Sequence, residues 1–167
     1  IPLIEIVTKP VTGTGKYAPE VARAYVTALR ELLRGLGVSD VKMEEGSMRV
    51  DANVSIRPVG TTQLGTKVEI KNMNSIRSLG RAIDYEVERQ TIATNTGERI
   101  VQETRHWDES EGITHGMRSK EGSSDYRFFP EPDLAPVAPT DEMRAAARAA
   151  RRRARQFRVL PRPARGR

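Results

Sequence analysis

No cysteine occurs anywhere in the 167 residues, which excludes disulfides, thiolate nucleophiles and thiolate metal centres. Histidine is nearly as scarce, with only His106 and His115. That scarcity argues against a histidine-rich zinc site, so any metal would be held by oxygen. Long apolar runs are missing too. Nothing approaches the roughly 18 residues of a membrane span, and no basic-then-apolar signal segment opens the chain. The chain therefore reads as cytoplasmic, with no membrane association. Aromatic residues are few, at 5%, and 37% hydrophobic content against 30% charged is ordinary for a globular domain.

Charge is unevenly distributed. The net +6 comes from the end of the chain, where residues 141–167 hold ten Arg against Asp141 and Glu142. The remaining 140 residues carry 18 Lys and Arg against 20 Asp and Glu, or −2. A basic tail thus follows a slightly acidic body. The chain opens at Ile1 directly in the strand-like run "IPLIEIV" and is expected to be a fragment of a longer protein.

Along the body, "PLIEIV" predicts a short strand ended by Pro10, followed by the glycine-rich loop "VTGTGKYAP". From Pro19, the residues Val21, Ala24, Tyr25, Ala28, Leu29, Leu32, Leu33 and Leu36 recur at helical steps, and Gly37 supplies a stop. "MRVDANVSI" then alternates. Val50, Ala52, Val54 and Ile56 lie on one face of a strand, with Arg49, Asp51, Asn53 and Ser55 on the other. After the turn "VGTTQLG", the run "TKVEIK" alternates again, turning Val68 and Ile70 inward and Lys67, Glu69 and Lys71 outward. The two runs predict a hairpin. Asn74 and Ser75 are N-cap candidates for a second helix striped by Ile76, Leu79, Ala82, Ile83 and Val87 and ended by Gly97. "RIVQETRHW" and "ITHGMRS" predict a second hairpin around "DESEG", and "DYRFFPEPDLAPVAP" runs into proline-rich linker. The expected architecture is α+β, an antiparallel sheet with helices on one face and the polar face open.

Several groupings carry chemical meaning. Glu5, Asp51 and Glu69 lie on three predicted strands, and converging carboxylates suit Mg²⁺, which combines a few such ligands with waters and phosphates. Arg49, Arg57, Lys67 and Lys71 would complement phosphate charge. The alternative is a solvent face with cross-strand ion pairs. Glu44 and Glu45 in "MEEGS" form a second acidic pair. "KNMNSIR", Lys71–Arg77, places amides and a hydroxyl at a strand-to-helix junction, where free backbone N–H groups attract phosphate. Capping alone explains Asn74 or Ser75, but not Asn72. In "MRSKEGSSDYRFF", Arg118, Lys120, Asp125, Tyr126, Arg127 and Phe128 interleave charge with aromatic rings, as nucleic-acid or nucleotide binding surfaces do. His106 and His115 have no clustered ligands and read as structural or surface residues, while the arginine tail offers non-specific affinity for phosphate backbones.

Taken in order, "PLIEIVT", "LGVSDVKMEEGSMRVDANVSIRP", "GTKVEIKNMNSIR", "QETRHWDE" and "MRSKEGSSDYRFFPEPDL" resemble the GatB/GatE family of tRNA-dependent amidotransferases, over about residues 1–135. The resemblance implies a partial glutamine synthetase-like catalytic domain that uses Mg²⁺ and ATP. The family phosphorylates the side-chain carboxylate of Glu-tRNA(Gln) or Asp-tRNA(Asn), then amidates it with ammonia from a glutaminase subunit. Implied partners are GatA-like and GatC-like subunits and the misacylated tRNA. On this pattern Glu5, Asp51 and Glu69 become metal ligands, and Glu69, Lys71 and Asn72 catalytic residues. Arg49, Asn53, Asn74, Ser75, Arg77, Arg118 and Tyr126 become contacts for nucleotide or the aminoacyl end.

Three departures qualify the resemblance. The family's N-terminal segment, with further acidic and histidine ligands, is expected before Ile1, so the chain would hold only part of the metal site and would not catalyse alone. Residues 136–167 form a Pro/Ala/Arg-rich tail, expected to be disordered or a short helix, unlike the apolar-striped sequence of the family there. Val50 stands where many members have cysteine. The rival readings are a non-catalytic tRNA-binding fragment and a non-functional remnant of an interrupted gene.

Overall fold

The computed structural model describes residues 3–117, 133 and 135–157. Their elements run α1 (Ala18–Gly35), β1 (Val50–Val54), β2 (Val68–Met73), α2 (Ile76–Asn95), β3 (Thr104–Asp108), β4 (Ile113–Gly116) and α3 (Asp141–Phe157). The chain divides into two compact units: one contains the segment up to Thr27 and Arg49–Met117, the other Ala28–Met48 and the described chain beyond residue 117.

Both predicted hairpins of the first unit form, and together they make one four-stranded sheet in the order β1-β2-β3-β4. Helix α2 contacts β1, β2 and β4, so the α+β architecture is as expected. The sheet is not wholly antiparallel, however. β2 and β3 pair in parallel, with Glu69 opposite Thr104 and Lys71 opposite His106. The 20 residues of α2 between them are the kind of crossover that lets a second hairpin add in parallel to the first. The face toward α2 buries Val54, Val68, Ile70, Met73 and Trp107 against Leu79, Ala82, Ile83 and Ala93.

Helix α2 begins where its sequence indicated. Ser75 is extended, at φ −153° and ψ 161°, and its Oγ accepts the N–H of Ser78 at 2.9 Å, satisfying one of the orphan donors of the first turn. At the other end Gly97 takes φ +80°, with Glu98 N–H donating to Ala93 O and Gly97 N–H to Thr94 O. This paired closure needs a left-handed residue, which glycine adopts without strain. The same closure ends α1, through Gly37 at φ +69°.

Two expectations in this region fail. Residues 3–7 of "PLIEIV" form no strand, and Leu3, Ile4 and Val7 are 77–95% exposed. Its β propensity finds no partner strand among the described residues, and an unpaired strand has no ladder to hold it. Helix α1 forms, but its face is rotated from the expected stripe. Val26 is buried and Ala22, Leu29 and Leu33 are half-buried, whereas Val21, Tyr25 and Leu32 are exposed.

In the second unit the acidic loop is tied down locally. Ser47 Oγ bonds Asp40 and accepts Lys42 N–H at 3.0 Å, and the Ser47 hydroxyl holds the Asp40 carboxyl below its usual range. Glu45 pairs with Lys42 at 2.7 Å. Of the two states expected for the tail, residues 141–157 take the helix, α3, which is 17 residues long. Alanine and arginine are among the strongest helix formers, Thr140 Oγ1 caps Met143 N–H at 3.2 Å, and Asp141 and Glu142 occupy the positive first turn. No helix among the described residues is long and apolar enough to cross a membrane.

Candidate functional site

The face of the sheet away from α2 is polar, and a break in strand alternation organises it. The β1–β2 ladder pairs Val50 with Met73 and then Ala52 with Ile70. Asp51 is therefore opposed by two residues, Lys71 and Asn72, which is a bulge. Asn72 takes φ +69°, a left-handed conformation that asparagine tolerates better than most residues. Its Nδ2 donates to Trp107 O on β3 at 3.1 Å and lies 3.2 Å from His106 Nε2.

Around the bulge the predicted polar residues meet. Lys71 Nζ lies 3.9 Å from Asp51 Oδ2 and 3.5 Å from Glu69 Oε2, so one ammonium joins the two carboxylates. Thr104 Oγ1 donates to Glu69 Oε2 at 2.9 Å. Arg49 Nε approaches Asp51 Oδ1 at 3.5 Å from an exposed position. That oxygen is buried and has no hydrogen-bond partner among the described residues; the Arg49 contact is an ion pair too long and exposed to replace one. Asn53, opposite Glu69 in the register, is exposed on the same face.

The structure places the other predicted residues differently. Glu5 sits on the exposed irregular segment and makes no hydrogen bond or ion pair among the described residues. The three-strand carboxylate convergence is therefore absent. Among the described residues, the one trio of such groups within 4.8 Å is Asp108, Glu111 and His115. That trio is a turn: Asp108 Oδ1 accepts from Ser110 N–H and Glu111 N–H, and His115 pairs with Glu111. Ser75 is engaged as the N-cap, and Asn74 Oδ1 accepts from Ser78 Oγ at 3.3 Å. Arg77 is exposed in the first turn of α2 with no acidic partner among the described residues. Arg118 and Tyr126 lie outside the described residues.

Sequence reasoning missed Thr104, which orients Glu69, and read His106 as a structural or surface residue; it lies beside Lys71 and opposite His115 on β4. Both arrive through the parallel β2–β3 pairing, for which no local pattern in the sequence speaks.

The GatB/GatE catalytic domain model matches residues 1–145. The chain belongs to this family. Its relatives include proteins named as the B subunit of aspartyl/glutamyl-tRNA(Asn/Gln) amidotransferase. The one from Nocardia farcinica is 62% identical over 85% of this chain, that from Thermobifida fusca 59% over 85%, and that from Kineococcus radiotolerans 57% over 87%. The chain spans 28–30% of the length of these relatives. The matched part of the family domain includes the whole sheet, with α2 on one face and Asp51, Glu69 and Lys71 on the other.

Proposed function

We propose that this chain is part of the catalytic domain of the GatB-type component of a tRNA-dependent amidotransferase, and that its open sheet face belongs to the site where a side-chain carboxylate is activated by ATP. In that reaction a carboxylate oxygen of Glu-tRNA(Gln) or Asp-tRNA(Asn) attacks the γ-phosphorus and ADP leaves. Ammonia, supplied by a GatA-like glutaminase in a complex that includes a GatC-like subunit, then attacks the acyl carbon. Phosphate leaves, a proton is lost and the amide remains.

The observation that carries this reading is the buried, unbonded Oδ1 of Asp51 beside Glu69 and Lys71. A buried carboxylate oxygen without a donor is costly unless a cation or donor completes it. An all-oxygen pair suits Mg²⁺, so Asp51 and Glu69 would hold the ion. Bound there, it would neutralise phosphate charge. Lys71 holds the two carboxylates together and presents a cation to the same face. Thr104 fixes one Glu69 oxygen. Arg77 and Arg49, both exposed, supply further charge for phosphate oxygens, since phosphoryl transfer depends on positioning and neutralisation more than on covalent help.

Thermal unfolding of the chain with and without Mg²⁺-ATP tests the binding step, because a ligand that binds the native state alone raises its stability, by about 2.7 kcal/mol at a hundred times Kd. Asp51→Asn is expected to abolish that rise. In the full-length protein within its assembled enzyme, the same substitution should suppress phosphorylation of Glu-tRNA(Gln) far more than tRNA affinity. Equal losses in both would refute the assignment.

A further inference from the structure

Helix α3 lies mostly beyond residue 145, where the match to the family domain ends, and it is built unlike the rest of the chain. Arg144, Arg148, Arg151, Arg152 and Arg155 follow one another at steps of four, three, one and three residues. At 3.6 residues per turn these positions fall within a sector of about 100°, along about 16 Å of helix axis. Arg144, Arg148, Arg151 and Arg152 are exposed. Arg144 donates to the Pro139 carbonyl at 3.0 and 3.2 Å, and Arg148, Arg151 and Arg152 have no acidic partner among the described residues. Only Asp141 and Glu142 carry negative charge from residue 141 onward.

A row of like charges three and four residues apart destabilises a helix in isolation. Such a row becomes favourable when a polyanion lies along it. We propose that α3 grips the phosphodiester backbone of nucleic acid through the face formed by Arg148, Arg151 and Arg152, with Arg144 extending it. Duplex nucleic acid presents a charge about every 1.7 Å of axis, so a helix of this length faces several phosphates at once. Guanidinium forks match phosphate oxygens in pairs, which an ammonium cannot do. The other side of the helix decides against a membrane surface. By sequence position it offers Ala146, Ala149, Ala150 and Arg153, where an interfacial helix needs bulky Leu, Phe or Trp to sink between lipids. The inference does not depend on the amidotransferase reading, because it uses none of the residues of the sheet.

The test is fluorescence anisotropy of the full 167-residue chain with a labelled 20-base-pair RNA duplex, and with DNA of the same sequence, between 50 and 200 mM salt. With about four phosphates engaged, affinity should fall about a hundredfold over that range, and α3 should gain helicity by circular dichroism on binding. Replacing Arg148, Arg151 and Arg152 together by Gln, itself a good helix former, should flatten the logarithmic salt slope by about three. The matching Lys substitutions should keep the slope while weakening affinity. Binding to either duplex supports the proposal, and the tighter of the two names the natural source. It is overturned by no binding to either duplex at 50 mM salt, by a salt slope unchanged in the Gln variant, by a slope lost in the Lys variant, or by tighter binding to phosphatidylserine vesicles.

Discussion

Removing the carboxylate of Glu86 should cost the chain more stability than removing any other carboxylate in the sheet unit. Glu86 is fully buried on α2. Its oxygens accept from Arg89 Nε at 3.0 Å and Nη2 at 2.7 Å, from Gln90 Nε2 at 2.8 Å and from Thr114 Oγ1 at 3.3 Å. Arg105 Nε on β3 lies 3.8 Å away. Gln90 Nε2 also donates to Val54 O on β1, so this one acid ties α2 to three strands. The pairing holds the Arg89 guanidinium more firmly in its charged form, mainly through the Glu86 hydrogen bonds and against the opposing effect of burial.

The size of the loss follows from what stays behind. Each charge-assisted bond contributes about 1.5–3 kcal/mol, but desolvating the carboxylate offsets much of that, and an intact buried ion pair often nets close to zero. Truncation is different, because Arg105 and Arg89, 15% and 23% exposed, would share Glu103 alone. Leaving buried charge uncompensated costs about 3–5 kcal/mol, a large part of the 5–15 kcal/mol that holds a typical domain together. Urea unfolding followed by far-ultraviolet circular dichroism and by the fluorescence of Trp107 should therefore show a midpoint far lower for Glu86→Ala than for Glu103→Ala, whose carboxylate is 29% exposed. A double-mutant cycle with Arg105→Ala should give coupling of about 1–3 kcal/mol. A loss below about 1 kcal/mol for Glu86→Ala would refute the account of the network.

Gly65→Ala should destabilise by about 1–3 kcal/mol, because its Cβ would stand 2.0 Å from the Ile56 carbonyl oxygen; Gly60→Ala, with nothing within 4 Å but φ +88°, should cost only about 1 kcal/mol, both read from urea midpoints. Glu109 is held below the ordinary glutamate value, first by the Trp107 indole N–H at 2.6 Å and then by Ser78 and Arg81, against burial. Its contribution is therefore present above the unfolded value and lost as pH falls through the lower folded one, and acid titration of Trp107 fluorescence should show a midpoint below 4.5 that disappears in Glu109→Gln. Asn72→Gly should be milder than Asn72→Ala in denaturant unfolding: both lose the bond to Trp107 O, but alanine adds about 1–2 kcal/mol of left-handed strain. Equal losses would show that backbone strain plays no part.

What was legible in the sequence is what neighbours along the chain decide. The cap at Ser75, the stops at Gly37 and Gly97 and the alternation of β1 and β2 follow from contacts within a few residues, and each appears where expected. The reach of "PLIEIV" was not legible, because a strand exists only through a partner and propensity cannot say whether one is present. The rotation of α1 has a related cause: Val21, Tyr25 and Leu32 satisfy a helical period as well as Ala22, Val26, Leu29 and Leu33 do, so periodicity alone does not choose between the faces. In the tail, the lack of an apolar stripe leaves disorder and helix both open, and the propensity of alanine and arginine with the cap at Thr140 favours the helix.

The open face shows why local pattern reaches part of a site and stops. Strict alternation from Val68 would put Asn72 inside and turn Met73 out beside Asp51. The bulge inserts one residue at that point, so Met73 returns to the core, 3% exposed, and both Lys71 and Asn72 oppose Asp51. The backbone cost falls on Asn72, whose side chain replaces a ladder bond by donating to Trp107 O on the parallel strand. A residue expected to act in chemistry thus has a positional task visible in the fold, carrying the irregularity that returns Met73 to the core beside the Asp51–Lys71 pair. Bulges concentrate where a side chain must be re-aimed. This one falls at the Asp51–Lys71 pair of the candidate site, so the departure from regular pairing adjoins the polar cluster and keeps the core face continuous beneath it.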